Sequence, residues 1–266
     1  MKKKIDFVPN RFLRSVPNAL TLCNSICGFV AILYTLKAYE IEQTGQTMNV
    51  FYVSAIMIFS AMIFDAMDGF AARLLNAASV HGIQMDSLSD MVTFGVAPAV
   101  LVAVMTHSLR QWSLAGWQEV GVYALCCIYL GGAALRLATY NVHAMLEKKS
   151  SATFSGLPSP GAAAAICVVV LYAYQEKFAI KNLAIILPIY AAVLGLLMVS
   201  KIPYIHAAKW LLSMRRNYWR LAAFVICLGS VLCFKATALV IIVTGYVLSG
   251  PVMGVYKKLF SSEKAA

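Results

Sequence analysis

Charged residues are scarce in this sequence. They make up 12% of its 266 residues, only 11 residues are Asp or Glu, and 61% of the chain is hydrophobic. Soluble globular domains carry about a quarter charged residues, so this composition excludes that class. Apolar stretches of roughly 17 to 25 residues, the length that crosses the hydrocarbon core of a bilayer, recur along the chain. The sequence therefore predicts an all-α, polytopic integral membrane protein.

Several other signals are missing as well. The opening residues 1–12 contain lysines but no short apolar core followed by a small-residue cleavage site, so no removable signal peptide is predicted. The seven cysteines lie inside apolar runs without Cys-x-x-Cys spacing. This pattern is typical of buried small hydrophobic residues and not of a disulfide framework or a metal site. No repeat, low-complexity segment or long linker divides the chain into separate domains.

The apolar stretches predict about eight transmembrane helices. Their approximate limits are 16–38, 48–72, 86–106, 117–138, 159–175, 182–200, 221–234 and 236–255. Because the count is even, both termini lie on the same side of the membrane. A segment rich in basic and aromatic residues at 201–220 and the basic residues 1–15 are predicted to lie at the interface, on anionic lipid.

The distribution of basic residues predicts which side holds the termini. Of the 22 Lys and Arg residues, the side opposite the termini receives only five, which are Lys37, Arg110, Lys177, Lys181 and Lys235. The positive-inside rule therefore places both termini in the cytoplasm. The net charge of +11 is explained by this topology and by attraction to anionic headgroups, and we expect no nucleic-acid partner.

Four aspartates interrupt the apolar pattern between the second and third predicted spans. Asp65 and Asp68 are three residues apart and Asp86 and Asp90 are four apart, so each pair shares one face of its helix. The predicted topology brings both pairs to the cytoplasmic end of the membrane. A carboxylate at the bilayer centre costs about 2.5 to 3.5 kcal/mol, and less toward the interface, so a cation is needed. Arg73 neutralises one charge, and the remaining oxygen ligands suit Mg²⁺ or Mn²⁺.

Small residues surround these aspartates. Gly69 follows Asp68, Ala72 precedes Arg73, and Gly82 lies one turn before Asp86. This lack of side-chain bulk would let the phosphates of a large ligand approach the backbone. A divalent-cation transporter with intramembrane aspartates is an alternative. Such a protein is expected to have polar residues on both sides of the midplane. Here the outer halves of the two spans offer little more than Ser54 and Ser60.

The spacing of these residues resembles a known signature. The pattern Asp65-x-x-Asp68-Gly69-x-x-Ala72-Arg73, then Gly82-x-x-x-Asp86-x-x-x-Asp90 after eight residues, is similar to that of the CDP-alcohol phosphotransferase family. The resemblance implies that Asp65, Asp68 and Asp86 bind divalent ions, often two, and that Asp90 is the general base and also touches a metal. It implies a CDP-diacylglycerol donor, with the following residues near it: Asn18, Thr21, Asp65, Asp68, Gly69, Ala72, Arg73 and Gly82.

Three further stretches resemble one branch of this family, the CDP-diacylglycerol–serine O-phosphatidyltransferases. They are SVPNALTLCNSICGF at 15–29, MDSLSDMVTFGVAPA at 85–99, and RLATYNV at 136–142 together with FSGLPSP at 154–160. The branch uses serine as the acceptor. In RLATYN, Thr139 stands where a second arginine is common. Sister enzymes that use glycerol 3-phosphate or an inositol phosphate are the alternative, but a phosphorylated acceptor would need more positive charge than Arg73 and Arg136 supply.

Four residues are candidates for binding the acceptor: Arg136, Asn141, Ser155 and Ser159. The alternative interpretation of Arg136 and Asn141 is snorkelling and helix capping. GLPSP at 156–160 is most simply a loop that leads into a helix start, with Ser155 and Ser159 as further candidates for headgroup contacts. Asn18 and Thr21 would either meet the nucleotide or cap the first span.

The resemblance also implies an organisation for the chain. It covers residues 16–200 as a six-helix core and leaves two extra helices and a cytoplasmic tail at 221–266. A homodimer is expected from the same resemblance. A compact chain without a targeting sequence fits a location in the inner membrane, and the topology predicted above makes the active site face the cytoplasm.

Overall fold

The computed structural model describes residues 11–41, 44–75, 79–109, 116–146, 154–176, 180–204 and 236–254. These form helices α1 Arg11–Leu36, α2 Thr44–Leu74, α3 Val80–Leu109, α4 Gly116–Leu146, α5 Ser159–Glu176, α6 Ile180–Val199 and α7 Ala236–Gly254. Two short strands, β1 Phe154–Ser155 and β2 Pro203–Tyr204, pair antiparallel. The predicted span 221–234, residues 1–10 and most of the segment 201–220 lie outside the described residues.

The helices confirm a membrane protein. Among the described elements, α1, α2, α3, α4 and α7 each contain a stretch long and apolar enough to cross a bilayer, and Leu183–Val199 of α6 is apolar but shorter. The predicted spans 159–175 and 182–200 coincide with α5 and α6. The total of eight spans and the side that holds the termini stay predictions.

Helix α1 has two distinct faces. Leu22, Ile26, Phe29 and Leu33 recur at helical spacing and are about half exposed, which is the pattern of a face directed at lipid. The opposite face is small and polar, carries Thr21, Asn24, Gly28, Ala31 and Thr35, and is buried. Polar side chains therefore enter the bundle from the first helix.

Helix α3 lies at the centre of the bundle. In its most apolar stretch, 61% is buried inside the bundle, compared with at most 28% in the corresponding stretches of α1, α2, α4 and α7. It begins at Val80 and not near residue 86 as predicted, because Ser79 caps it: the Ser79 side chain accepts a hydrogen bond from the Gly82 backbone N–H at 3.0 Å. The helix therefore includes Gly82 and carries both Asp86 and Asp90 well inside its length.

Two close helix pairs enclose α3. Helix α1 packs along α2, and α4 packs along α6. The second pair approaches closely at Gly132 and Gly195, where a methyl group on either residue would overlap the backbone of the other helix. Such contacts between small residues are a usual way for membrane helices to pack.

The connection before α5 is held against the end of α6. The Gly156 backbone N–H donates to Ile202 O at 2.8 Å, and that of Leu157 donates to Leu197 O at 3.1 Å. Gly156 has φ +88°, a left-handed conformation that favours glycine. The predicted loop at 156–160, leading into a helix start at Ser159, is confirmed.

Candidate active site

Four aspartates meet where the end of α2 faces the first half of α3. Asp65 and Asp68 lie near the C-terminal end of α2, and Asp86 and Asp90 lie within Val80–Asp90, the first part of α3. Each pair occupies one face of its helix, as the spacing requires. The connection between the helices leaves both pairs at the same end of the bundle.

The carboxylates form a compact cluster. Oxygen atoms of Asp65, Asp68 and Asp86 lie within 4.8 Å of one another. Asp90 adjoins them and lines the same cavity as Asp65 and Asp86. Oδ1 of Asp86 is buried and has no hydrogen-bond partner among the described residues. A buried acceptor left in this state costs about 1 to 3 kcal/mol, so the cluster is a site that demands a cation or a donor.

Helix α1 holds two of these carboxylates in place. Thr21 Oγ1 donates to Asp68 Oδ2 at 2.7 Å, and Asn24 Nδ2 donates to Asp90 Oδ1 at 3.2 Å. Ser89 Oγ of α3 donates back to the Thr21 carbonyl at 2.9 Å. Hydrogen bonds to charged groups are stronger than neutral ones, so these contacts restrict how Asp68 and Asp90 are oriented.

A π-helical turn, Met91–Val96, follows Asp90 directly. It is stabilised from two sides: Tyr129 OH donates to the Phe94 carbonyl at 2.8 Å, and Thr93 Oγ1 donates to the Asn24 carbonyl at 3.2 Å. Gly28 permits the second contact, because a methyl group there would overlap Thr93. Such turns are frequent at functional sites, and this one fixes the helix immediately after Asp90.

A cavity of about 290 Å³ opens beside the aspartates. Asp65, Asp86 and Asp90 line one part of it, and the other parts come from α4, the start of α5 and β2. The polar side chains from these elements are Arg136, Tyr140, Ser159 and Tyr204. The cavity therefore combines carboxylates with a guanidinium group and hydroxyl groups in one space.

Arg136 is fixed at the side of the cavity formed by α4 and α6. Its Nη1 atom donates to the Met198 carbonyl at 3.4 Å. A Cβ on Gly156 would lie 2.9 Å from the same nitrogen, so the turn before α5 packs directly on the guanidinium. This half-buried position gives Arg136 a defined place in the cavity lining, which goes beyond snorkelling alone.

The residues predicted for the donor lie around the α2 end of the cluster. Gly69 and Ala72 share the helix face of the aspartates, and a Cβ on Gly69 would have no described residue within 4 Å. Gly82 lies beside Asn18, whose Oδ1 would be 3.6 Å from a Cβ there. Arg73 is exposed, and its Nε donates to the Gly69 carbonyl at 2.8 Å. The structure thus leaves open space at Gly69.

The residues predicted for the acceptor are brought together only in part. Arg136 and Ser159 line the cavity. Asn141 instead accepts a hydrogen bond from Ser87 Oγ at 2.7 Å and, in the part of the chain that the structure describes, is not in the cavity lining. Ser155 belongs to β1, where its backbone pairs with Pro203.

Three residues of the site were missed by the sequence analysis. Asn24 follows Thr21 at helical spacing on the polar face of α1, so the i, i+3 pattern would have indicated it. Tyr140 lies one turn after Arg136 in RLATYN, which is a weaker signal. Tyr204 has no local signal, because β2 reaches the cavity only through its pairing with β1.

Comparison with known proteins agrees with this arrangement. The sequence model of the CDP-alcohol phosphatidyltransferase family matches residues 14–200. The chain belongs to this family. The match includes all four aspartates and Arg136, and it ends before β2 and α7.

Curated relatives of the family carry related names. A CDP-diacylglycerol–serine O-phosphatidyltransferase of Bacillus subtilis is 35% identical over 73% of this chain and 92% of its own. One of Helicobacter pylori strain J99 is 28% identical over 94% of this chain and 96% of its own. An archaetidylserine synthase of Methanothermobacter thermautotrophicus is 29% identical over 71% of this chain and 69% of its own.

The aspartate cluster fits the divalent metal on which this family generally depends. Its donors are all carboxylate oxygens, which hard divalent ions prefer, and the described residues place no cysteine or histidine among them. The unpartnered, buried Oδ1 of Asp86 is the kind of atom that a cation would satisfy. Asp65, Asp68 and Asp86 are therefore the residues suited to holding metal.

Proposed function

We propose that the protein transfers the phosphatidyl group of CDP-diacylglycerol to the hydroxyl of L-serine, producing phosphatidylserine and CMP. The observation that carries this proposal is the cavity in which the aspartate cluster faces Arg136. The relatives support the choice of acceptor, because serine stands in the names of those from Bacillus, Helicobacter and Methanothermobacter alike.

The donor is proposed to bind at the α2 end of the cluster. CDP-diacylglycerol has acyl chains that stay in lipid and a cytidine that stays in water, so its diphosphate belongs at the membrane boundary. The open space at Gly69 lets a diphosphate approach the helix there, and Arg73 adds a positive charge one turn further along. Asn18 of α1 lies beside Gly82 near the start of α3, and we assign both residues to the nucleotide.

Asp90 is proposed to act as the general base. Its carboxylate accepts the proton of the serine hydroxyl, and the serine oxygen attacks the phosphorus that carries the diacylglycerol. The bond from that phosphorus to the bridging diphosphate oxygen breaks, and CMP leaves with both electrons of that bond. Asn24 holds Asp90 from behind, so the carboxylate keeps one orientation during proton transfer.

Asp65, Asp68 and Asp86 are proposed to hold Mg²⁺ or Mn²⁺, as two ions. When bound, these ions supply positive charge that stabilises the diphosphate and the departing phosphate. Thr21 keeps the Asp68 carboxylate oriented toward the cluster through its 2.7 Å hydrogen bond.

Arg136 is proposed to bind the serine carboxylate. It is fixed by Met198 and Gly156, and its planar guanidinium suits a carboxylate. Among the described residues it contributes the only Lys or Arg side chain to the cavity lining, which disfavours a phosphorylated acceptor such as glycerol 3-phosphate. Ser159 and Tyr140 supply hydroxyl groups for the serine ammonium and hydroxyl.

The membrane arrangement remains part of the proposal. We place the protein in the inner membrane with its active site and both termini facing the cytoplasm, because most Lys and Arg residues fall on that side. The division into a six-helix core at 16–200 and a C-terminal extension, and the homodimer, are proposed with it. Labelling of single cysteines introduced at residues 2 and 264 in sealed vesicles would test the orientation.

The test of function uses the purified full chain with CDP-diacylglycerol and either Mg²⁺ or Mn²⁺. CMP release and the lipid product are followed with serine, glycerol 3-phosphate and inositol phosphate as separate acceptors. Serine alone giving CMP and phosphatidylserine supports the proposal, and preference for a phosphorylated acceptor contradicts it. If no alcohol releases CMP and the protein carries Mn²⁺ into vesicles, the transporter alternative is favoured.

A further inference from the structure

Helix α7 lies outside the matched family region, yet it packs against the cavity. Its first residue is tied to the end of α5, because the Ala236 backbone N–H donates to Gln175 Oε1 at 3.0 Å. Further along, Tyr246 contacts the start of α5: a Cβ on Gly161 would lie 3.2 Å from the Tyr246 ring. Helix α7 therefore runs antiparallel along α5 and brings its second half to the active-site end.

At that end, α7 packs against Tyr204, which lines the cavity. The Tyr204 hydroxyl donates to the Val247 carbonyl at 3.1 Å, and the ring stands 5.9 Å from that of Tyr246. Tyr204 is 6% exposed, and its ring lies so close to Gly250 that a methyl group there would overlap it. Burial raises the pKa of Tyr204, so its hydroxyl remains a neutral donor to Val247.

The same helix also packs beside the segment that holds Arg136. Tyr246 contacts Gly161, five residues after Gly156, whose turn packs on the Arg136 guanidinium. Arg136 and Tyr204 both line the cavity together with Gly156 and Ser159, on the side supplied by α4, α5 and β2. By contrast, Asp68 and Asp90 accept their hydrogen bonds from Thr21 and Asn24 of α1.

We propose that α7 is a positioning element for the acceptor side of the active site, in which Tyr246 and Gly250 set the places of Arg136 and Tyr204. This inference rests on the proposed function only in naming serine as the acceptor. Since α1 supports the carboxylates and α7 supports the opposing polar groups, the two halves of the site are separable. A perturbation of α7 should weaken acceptor binding and leave donor binding intact.

The test compares two glycines of α7 in the purified full chain. Gly250→Ala introduces a methyl group against Tyr204, whereas Gly245→Ala makes the same change where no described residue lies within 4 Å. Both gain the same helix propensity, so any difference between them is due to the contact. We expect Gly250→Ala to raise the KM for serine about tenfold, or about 1.4 kcal/mol, with the KM for CDP-diacylglycerol and kcat within about twofold.

A second variant covers the case in which Gly250→Ala does not fold. Tyr204→Phe keeps the ring and removes the hydrogen bond to Val247, and it should raise the serine KM in the same direction by a smaller factor. Equal serine KM values for Gly250→Ala and Gly245→Ala would overturn the proposal. So would a fall in kcat accompanied by equal rises in the KM for serine and the KM for CDP-diacylglycerol.

CMP release by the wild-type protein with different alcohols distinguishes failure of the proposed function from failure of the proposed role of α7. If the wild-type protein uses another alcohol in place of serine, the proposed acceptor is wrong, and the glycine comparison made with that alcohol still decides the role of α7. If wild-type protein releases no CMP with any alcohol, both proposals fall.

Discussion

Replacing Asn24 tests whether the first helix orients the general base. Asn24 is fully buried, and its Nδ2 donates to Asp90 Oδ1 at 3.2 Å, while no described residue bonds to its Oδ1. Asn24→Ala removes the donor and leaves the Asp90 carboxylate in place. The aspartate cluster itself, formed by Asp65, Asp68 and Asp86, is not altered directly.

The size of the effect follows from the kind of bond that is lost. A hydrogen bond to a charged group contributes about 1.5 to 3 kcal/mol, and each 1.36 kcal/mol changes a rate about tenfold. If that bond holds Asp90 in its reactive orientation, Asn24→Ala should lower kcat by about ten- to 150-fold. Since Asn24 is not among the described residues that line the cavity, the KM values for serine and CDP-diacylglycerol should change little.

The assay is CMP release by purified protein at saturating concentrations of both substrates. Thr35→Ala is the matched control: it also truncates a buried polar residue of α1, about three turns away, whose hydroxyl donates to the Ala31 carbonyl of its own helix. Thermal unfolding in detergent checks that both variants are folded. A kcat for Asn24→Ala within twofold of wild type, or an equal loss in Thr35→Ala, would refute the role assigned to Asn24.

Three further predictions address the base, the metal and the helix packing. Asp90→Asn should fold normally yet lower kcat by about 10² to 10⁴-fold, the usual contribution of a general base; near-wild-type CMP release would contradict that role. Asp86→Asn should weaken Mn²⁺ binding, measured by the electron paramagnetic resonance of free Mn²⁺, and unchanged binding would remove Asp86 from the metal site. Gly132→Ala should destabilise the protein by about 1 to 3 kcal/mol in thermal unfolding, because its methyl group meets the Gly195 backbone. Gly131→Ala, which has no described residue within 4 Å, should not lower the melting temperature. Equal melting temperatures for the two variants would refute the close contact.

The membrane class and the aspartate cluster could be predicted from the sequence because both depend on local patterns. Long apolar stretches are sufficient to indicate membrane helices, and the spacing of Asp65, Asp68, Asp86 and Asp90 fixes which of them share a helix face. Thr21 was predicted either to meet the nucleotide or to cap the first span, and in the structure it bonds to Asp68. The helix start at Val80 was missed by several residues, because the cap at Ser79 lies in a polar stretch that the hydropathy pattern does not mark.

The acceptor side was less predictable. Arg136 and Ser159, identified from short motifs, line the cavity, whereas Asn141, another candidate for binding the acceptor, bonds to Ser87. Tyr140 gave only a weak signal. Asn24 had a periodic signal that was overlooked, since its spacing from Thr21 matches one helix face.

The sequence alone determined that this protein is a bundle of membrane helices with a carboxylate cluster, because helix periodicity and apolar length act over neighbouring residues. Only the tertiary structure decided what faces that cluster. Tyr204 comes to the cavity because β2 pairs with β1, and it is held there by Val247 and Gly250 of α7. Contacts between residues this far apart in the chain depend on which helices pack together, and no local pattern records that packing.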